Sequence, residues 1–107
     1  MDDGFVKVAR MSEIAERRSL RVIVGDEQIA LWRVDGTVYA INNVCPHQHF
    51  PVLHQATLDG IKVTCPMHGW TYSLDTGCAD AGSGKVKTHR VKIVGDEIFV
   101  EQPVESW

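Results

Sequence analysis

The chain has 107 residues, 44% of them apolar, enough for one globular domain over residues 1–107 that buries roughly two-thirds of its unfolded surface without disulfides. Eleven Lys and Arg against fourteen Asp and Glu leave a formal charge of −3 with no basic run, which argues against nucleic acid as a partner. No stretch approaches the ~20 apolar residues of a membrane span, and the first residues mix both charges where a secretory leader would be apolar, so a cytoplasmic location with reduced thiols is expected.

Short runs rich in Val, Ile and aromatic residues predict strands at Phe5–Arg10, Arg21–Val24, Gln28–Val34 and Thr37–Asn42, then at Ile61–Thr64, Thr71–Leu74, Val91–Val94 and Glu97–Glu101. The pairs Gly25-Asp26, Asp35-Gly36, Asp59-Gly60 and Gly95-Asp96 read as tight turns between such runs. Met11–Arg18 predicts a helix of a turn or two, capped by Ser12. Ala79–Lys85 reads as a flexible loop and Val104–Trp107 as a frayed tail. The pattern is that of an all-β, antiparallel domain. Residues from about 43 to 76 show little regular period and read as a small insertion mounted on the β scaffold.

That insertion carries the chemistry. Residues 45–50 read CPHQHF and residues 65–70 read CPMHGW. Cys45 and His47 have one residue between them, Cys65 and His68 have two, and seventeen residues separate His47 from Cys65. Thiolate sulfur and imidazole nitrogen are donors to both zinc and iron, and four of them in two short loops suffice for a tetrahedral or a binuclear site. Pro46 and Pro66 each fix φ and remove one N–H just after a candidate sulfur ligand, which stiffens the loop. Three cysteines cannot all pair within one chain, so disulfides are the weakest reading.

C-x-H, seventeen residues, then C-x2-H closely resembles the ligand motif of Rieske-type [2Fe–2S] proteins. The resemblance implies a β-sandwich or barrel-like scaffold with a protruding two-loop cluster subdomain. It assigns Cys45 and Cys65 to one iron and His47 and His68 to the other, the histidines binding through Nδ1 with Nε2 near solvent. Two ferric ions, two sulfides and two thiolates cancel to neutrality, whereas four thiolates leave two negative charges. Neutral imidazoles therefore raise the potential, and the incoming electron settles on the iron they bind. In the cytochrome bc-type branch of the family, two further cysteines at the positions of Phe50 and Met67 form a bracing disulfide, and a serine stands at the position of Trp70. All three differ here, while Tyr72 matches the family tyrosine whose hydroxyl bonds a ligand sulfur. The lost serine donor implies a potential near the low end of the family's roughly −150 to +300 mV.

CPHQ followed by HGWTY is similar to the ferredoxin components of bacterial aromatic-ring dioxygenase and toluene monooxygenase systems, and also to small Rieske subunits of nitrite reductases. The resemblance thus implies an electron carrier rather than an enzyme, with a reductase as donor and an oxygenase or similar enzyme as acceptor, docking transiently at the cluster tip. The rival from another class is a structural zinc site on the same four residues, which would make the chain an interaction module. Cys78 reads as a buried or half-buried packing residue, His54 and His89 as surface or loop histidines, and His49 as part of a docking rim. Phe50, Pro51 and Trp70 read mainly as core of the cluster subdomain, with Trp70 also able to shield the cluster.

Overall fold

The computed structural model describes residues 4–44, 52–66, 69–80 and 84–101. Ten strands lie within them: β1 Phe5–Arg10, β2 Ser19–Val24, β3 Glu27–Val34, β4 Thr37–Asn42, β5 Thr57–Asp59, β6 Lys62–Thr64, β7 Thr71–Ser73, β8 Thr88–His89, β9 Val91–Val94 and β10 Glu97–Glu101. They form three antiparallel sheets in the orders β1-β10-β9, β2-β3-β4-β8 and β5-β6-β7. The all-β, antiparallel expectation holds, and no α-helix occurs among the described residues.

β3 explains how three sheets make one body. Its run Ile29-Ala30-Leu31-Trp32 is buried without a break, which a strand covered on one face cannot be. Alternate side chains point to opposite faces. Ile29 and Leu31 join Val38, Ala40, Ile98 and Val100 in one apolar cluster, toward the β1-β10-β9 sheet. Ala30, Trp32 and Val34 join Leu53, Val63, Cys65 and Tyr72 in a second cluster, toward the β5-β6-β7 sheet. The β2-β3-β4-β8 sheet is thus a middle layer with a core on each side.

Turn chemistry sets the registers. Val34 pairs with Thr37, leaving Asp35 and Gly36 at φ of 53° and 80°, the double left-handed geometry of a tight hairpin turn. Both of their N–H groups donate to the Glu16 carboxylate, and this holds its pKa below the ordinary value. The expected turn at Asp59-Gly60 is shifted by one residue. Asp59 pairs with Lys62, so Gly60 and Ile61 form the turn, and Thr57–Asp59 becomes a strand whose single apolar residue offers no alternation to read.

The expected helix over Met11–Arg18 is only a 3-10 turn at Met11–Glu13, and Ser12 does not cap it. Instead the Glu13 carboxylate accepts the Arg10 N–H at 2.7 Å. The chain straightens at Ile14, 1% exposed, which enters the core beside β1 and β10. Arg33 then satisfies the Met11 and Ile14 carbonyls that a longer helix would have used, at 3.0 and 2.9 Å.

The flanks of the expected loop at 79–85 are pinned: Tyr72 bridges Ala79, Cys78 bridges Lys85, and the Ala79 N–H donates to Gly84 O at 3.0 Å. Residues 81–83 and the tail at 104–107 lie outside the described residues. Just before this segment Gly77 has φ of 79°, and a Cβ there would lie 2.1 Å from the Val86 carbonyl oxygen. The Val86 N–H donates to Gly77 O at 2.8 Å, so the close approach is built in. Gly77→Ala is expected to lose about 2–4 kcal/mol from clash and left-handed strain together, read by urea denaturation. A loss below about 1 kcal/mol would mean that the segment yields freely.

Candidate metal centre

The second Cys/His knot connects β6 to β7. Those strands pair Lys62 with Ser73, Val63 with Tyr72 and Thr64 with Thr71, so residues 65–70 span a hairpin tip. Cys65 continues the inward face of Val63 and is 1% exposed, and Tyr72 is fully buried beside them in the same apolar cluster. Outward, the Thr64 and Thr71 hydroxyls meet at 2.9 Å. The tip is closed by its backbone: the Cys65 N–H donates to Trp70 O at 2.7 Å and the Gly69 N–H donates to Cys65 O at 3.0 Å. Trp70 is half-buried against the cluster and Pro66 is exposed.

The first knot leaves the end of β4 and the chain returns at a 3-10 turn, Leu53–Gln55. The departing end is held by an Asx turn, with the Val44 N–H donating to Asn42 Oδ1 at 2.8 Å, while Asn42 Nδ2 donates to Glu27 Oε1 at 2.7 Å. At the returning end, Leu53 is fully buried and its carbonyl accepts from Trp32 Nε1 at 3.3 Å. Leu53, Ala56 and half-buried Val52 pack on the cluster that contains Cys65 and Tyr72. The bases of both knots therefore rest on one core. Between Asn43 and Thr76 the strands expected at Ile61–Thr64 and Thr71–Leu74 are found as β6 and β7, while β5 and the 3-10 turn at Leu53–Gln55 were not expected.

Of the four expected ligands, the structure describes Cys65. Cys45, His47 and His68 lie outside the described residues, as do Pro46, His49, Phe50, Pro51 and Met67. Among the described residues no group of three or more His, Cys, Asp or Glu side chains is placed to hold a metal ion. The described part fits an iron–sulfur group: a thiol in a dry apolar wall, at the start of a backbone-closed tip, is a soft donor shielded from water.

Three readings change. Cys78 is exposed, not packed, because the bridge to Lys85 lies at the surface. His54 is not a bare surface histidine, since its ring Nδ1 lies 3.0 Å from Asn43 Oδ1 and its backbone N–H donates to the same oxygen at 2.7 Å. Burial, and then the Arg21 charge, hold its pKa below the ordinary value. His89 sits in β8, opposite Ala40. Sequence reasoning missed Asn43, fully buried just past the end of β4; the Asn42-Asn43 pair was its one signal, as a turn former.

Residues 4–92 match the family described as the Rieske [2Fe-2S] domain. The chain belongs to this family. It is 30% identical to the ferredoxin component of the naphthalene 1,2-dioxygenase system of Pseudomonas aeruginosa, over 94% of this chain and 98% of that relative. Among solved structures, it resembles a chain of the complex of reduced oxygenase and oxidized ferredoxin in carbazole 1,9a-dioxygenase, at 28% identity and a TM-score of 0.84, covering 97% of this chain and 100% of that one. The Sphingomonas yanoikuyae B1 ferredoxin is similar at 26% identity and a TM-score of 0.83, covering 92% of this Rieske chain and 98% of its own. No helix among the described residues is long and apolar enough to cross a membrane.

His89 generates a pH prediction. Its Nε2 is buried without a hydrogen-bond partner among the described residues, and burial first, then the Lys87 charge, lower its pKa against opposing pulls from Glu27 and Glu101. The unfolded chain therefore takes up this proton before the folded one does. The group is neutral in both states above the ordinary histidine pKa of roughly 6.5, and it subtracts stability as pH falls below that. His89→Leu is expected to flatten the decline in unfolding free energy between pH 7.5 and 5.5, and an unaltered slope would refute the assignment.

Proposed function

We propose that this Rieske protein is a one-electron carrier whose [2Fe–2S] cluster is held by the thiolates of Cys45 and Cys65 and the imidazoles of His47 and His68. When bound, such a cluster supplies a centre that accepts a single electron and returns it. Everything else is the work of the chain. Cys65 offers its sulfur from a wall that excludes water, and Tyr72 backs it from the facing strand. Pro46 and Pro66 remove a competing N–H beside each sulfur, Trp70 covers the hairpin tip, and the Tyr72 hydroxyl serves a ligand sulfur.

The observation that carries this reading is the shared core: Cys65 is buried on the same apolar cluster as the returning end of the chain that bears Cys45 and His47. A structural zinc site explains the donors equally well, but not the likeness, over nearly the whole chain, to relatives described as ferredoxin components of dioxygenase systems. By that likeness the donor is a reductase, the acceptor is a terminal oxygenase, and catalysis takes place in the partners. Residues 43–76 then act as the cluster-bearing part of a single domain.

Purified under anaerobic conditions, the protein is expected to contain acid-labile sulfide and, once reduced by dithionite, to give an EPR spectrum with the low average g of a two-Cys, two-His binuclear cluster. Colourless protein that contains zinc and no sulfide would sink the proposal. His68→Cys replaces a neutral ligand by an anion and is expected to lower the potential by on the order of 100 mV where the cluster assembles. An unchanged or higher potential would contradict the role of His68.

A further inference from the structure

Asn43 is the one buried polar side chain among the described residues, fully enclosed just past the end of β4 and bonded to β3 and to the 3-10 turn at Leu53–Gln55. Its polar atoms are matched to that position. The Asn43 N–H donates to Gln28 O at 2.8 Å, one step beyond the last β3–β4 pair, Ile29 with Asn42, and Nδ2 faces Gln28 Oε1 at 3.4 Å. Its carbonyl accepts the Leu53 N–H at 3.0 Å. Its side-chain Oδ1 accepts the His54 N–H at 2.7 Å and faces His54 Nδ1 at 3.0 Å. An amide oxygen only accepts, so the imidazole proton sits on Nδ1.

We propose that Asn43 is a positioning residue for the first ligand loop, the clamp that joins its two ends. The inference rests on the reading that Cys45 and His47 hold the cluster. Between Val44 and Val52 lie seven residues, and Cys45 follows Asn43 by only two positions. Asn43 is fastened on one side to β3 and on the other to Leu53 and His54. The 3-10 turn is itself tied down by Trp32 Nε1 on Leu53 O and by the Ser19 hydroxyl on His54 O. The ends of the loop thus keep a set separation from the middle sheet, which narrows the conformations open to the ligands between them. Few side chains can replace the Asn43 acceptor. Leucine has the shape without the acceptor and glutamine would move the oxygen by a bond length, whereas aspartate keeps the acceptor and gives up only the long Nδ2 donation to Gln28 Oε1.

A purely structural role would cost fold stability and leave the cluster site as it was, so the test measures both in the cluster-loaded protein. The comparison is Asn43→Leu, Asn43→Asp and Ile98→Ala, the last a fully buried position in the core cluster on the other side of β3 from Cys65. Asn43→Leu is expected to broaden the EPR lines of the reduced protein and to lose acid-labile sulfide about tenfold faster than wild type, the scale set by other residues that hold ligands in place. Asn43→Asp is expected to keep the wild-type line shape, and Ile98→Ala to lower the thermal midpoint with line shape and sulfide retention unchanged. Should Asn43→Leu fail to fold, His54→Ala, which removes only the ring contact, is expected to broaden the same lines to a lesser degree. An Asn43→Leu protein that behaves like Ile98→Ala would overturn the proposal, as would an unaltered His54→Ala where Asn43→Leu does not fold. Wild-type protein without the binuclear signal would sink the reading beneath it instead, so the two failures are distinguishable.

Discussion

The structure depends on burial of β3 on both faces. A strand whose residues 29–32 are all enclosed requires a layer on each side, and the chain supplies one from its two ends and the other from its middle. The terminal layer, β1-β10-β9, closes a core of aliphatic residues and carries no chemistry. The outer layer formed by the middle of the chain, β5-β6-β7, closes the core that includes Cys65 and Tyr72. One strand thus couples the stability of the scaffold to the platform for the metal site. Side chains such as Leu31 and Trp32, each contributing roughly 1.5–3 kcal/mol on full burial, hold opposite layers onto the same backbone.

The two knots are held by different physics. The second is a hairpin tip, and its geometry follows from the β6–β7 register and from two backbone hydrogen bonds that involve Cys65 itself. The first runs from a strand end to a 3-10 turn, and among the described residues one backbone bond, Leu53 N–H to Asn43 O, joins its two ends. Side chains do much of the rest: Asn42 and Asn43 on the way out, Trp32 and Ser19 on the way back. Backbone closure tolerates many side chains, whereas side-chain closure demands particular ones.

That contrast also explains what the sequence could reveal. Strands with alternation or β-branched runs, such as Thr37–Asn42, Val91–Val94 and Glu97–Glu101, are found with the expected bounds. Thr57–Asp59 and Thr88–His89 were invisible, because a strand of two or three residues exists only where a neighbour offers it a ladder. The helix expected at Met11–Arg18 had adequate local propensity, but Ile14 had a place in the core, and burial outweighed it. The paired knots were legible because ligand chemistry is local in sequence. Asn43 and His54 were not, since their meeting depends on where a chain returns after ten intervening residues.

The same core bears on why a mixed ligand set suits this chain. Cys65 is 1% exposed among Val63, Leu53 and Tyr72, a setting in which net charge is costly to hold. Two thiolates and two neutral imidazoles neutralise an oxidised binuclear iron–sulfide unit, whereas four thiolates would leave two uncompensated negative charges against an apolar wall. Within the proposed assignment, the dry side of the site is served by a buried sulfur and the compensation comes from the ligand types themselves, with no buried cation needed. The described core supplies none: Asn43 is its one buried polar side chain, and it is neutral. The ligand pattern of the sequence and the apolar composition of the core are thus two sides of one electrostatic balance.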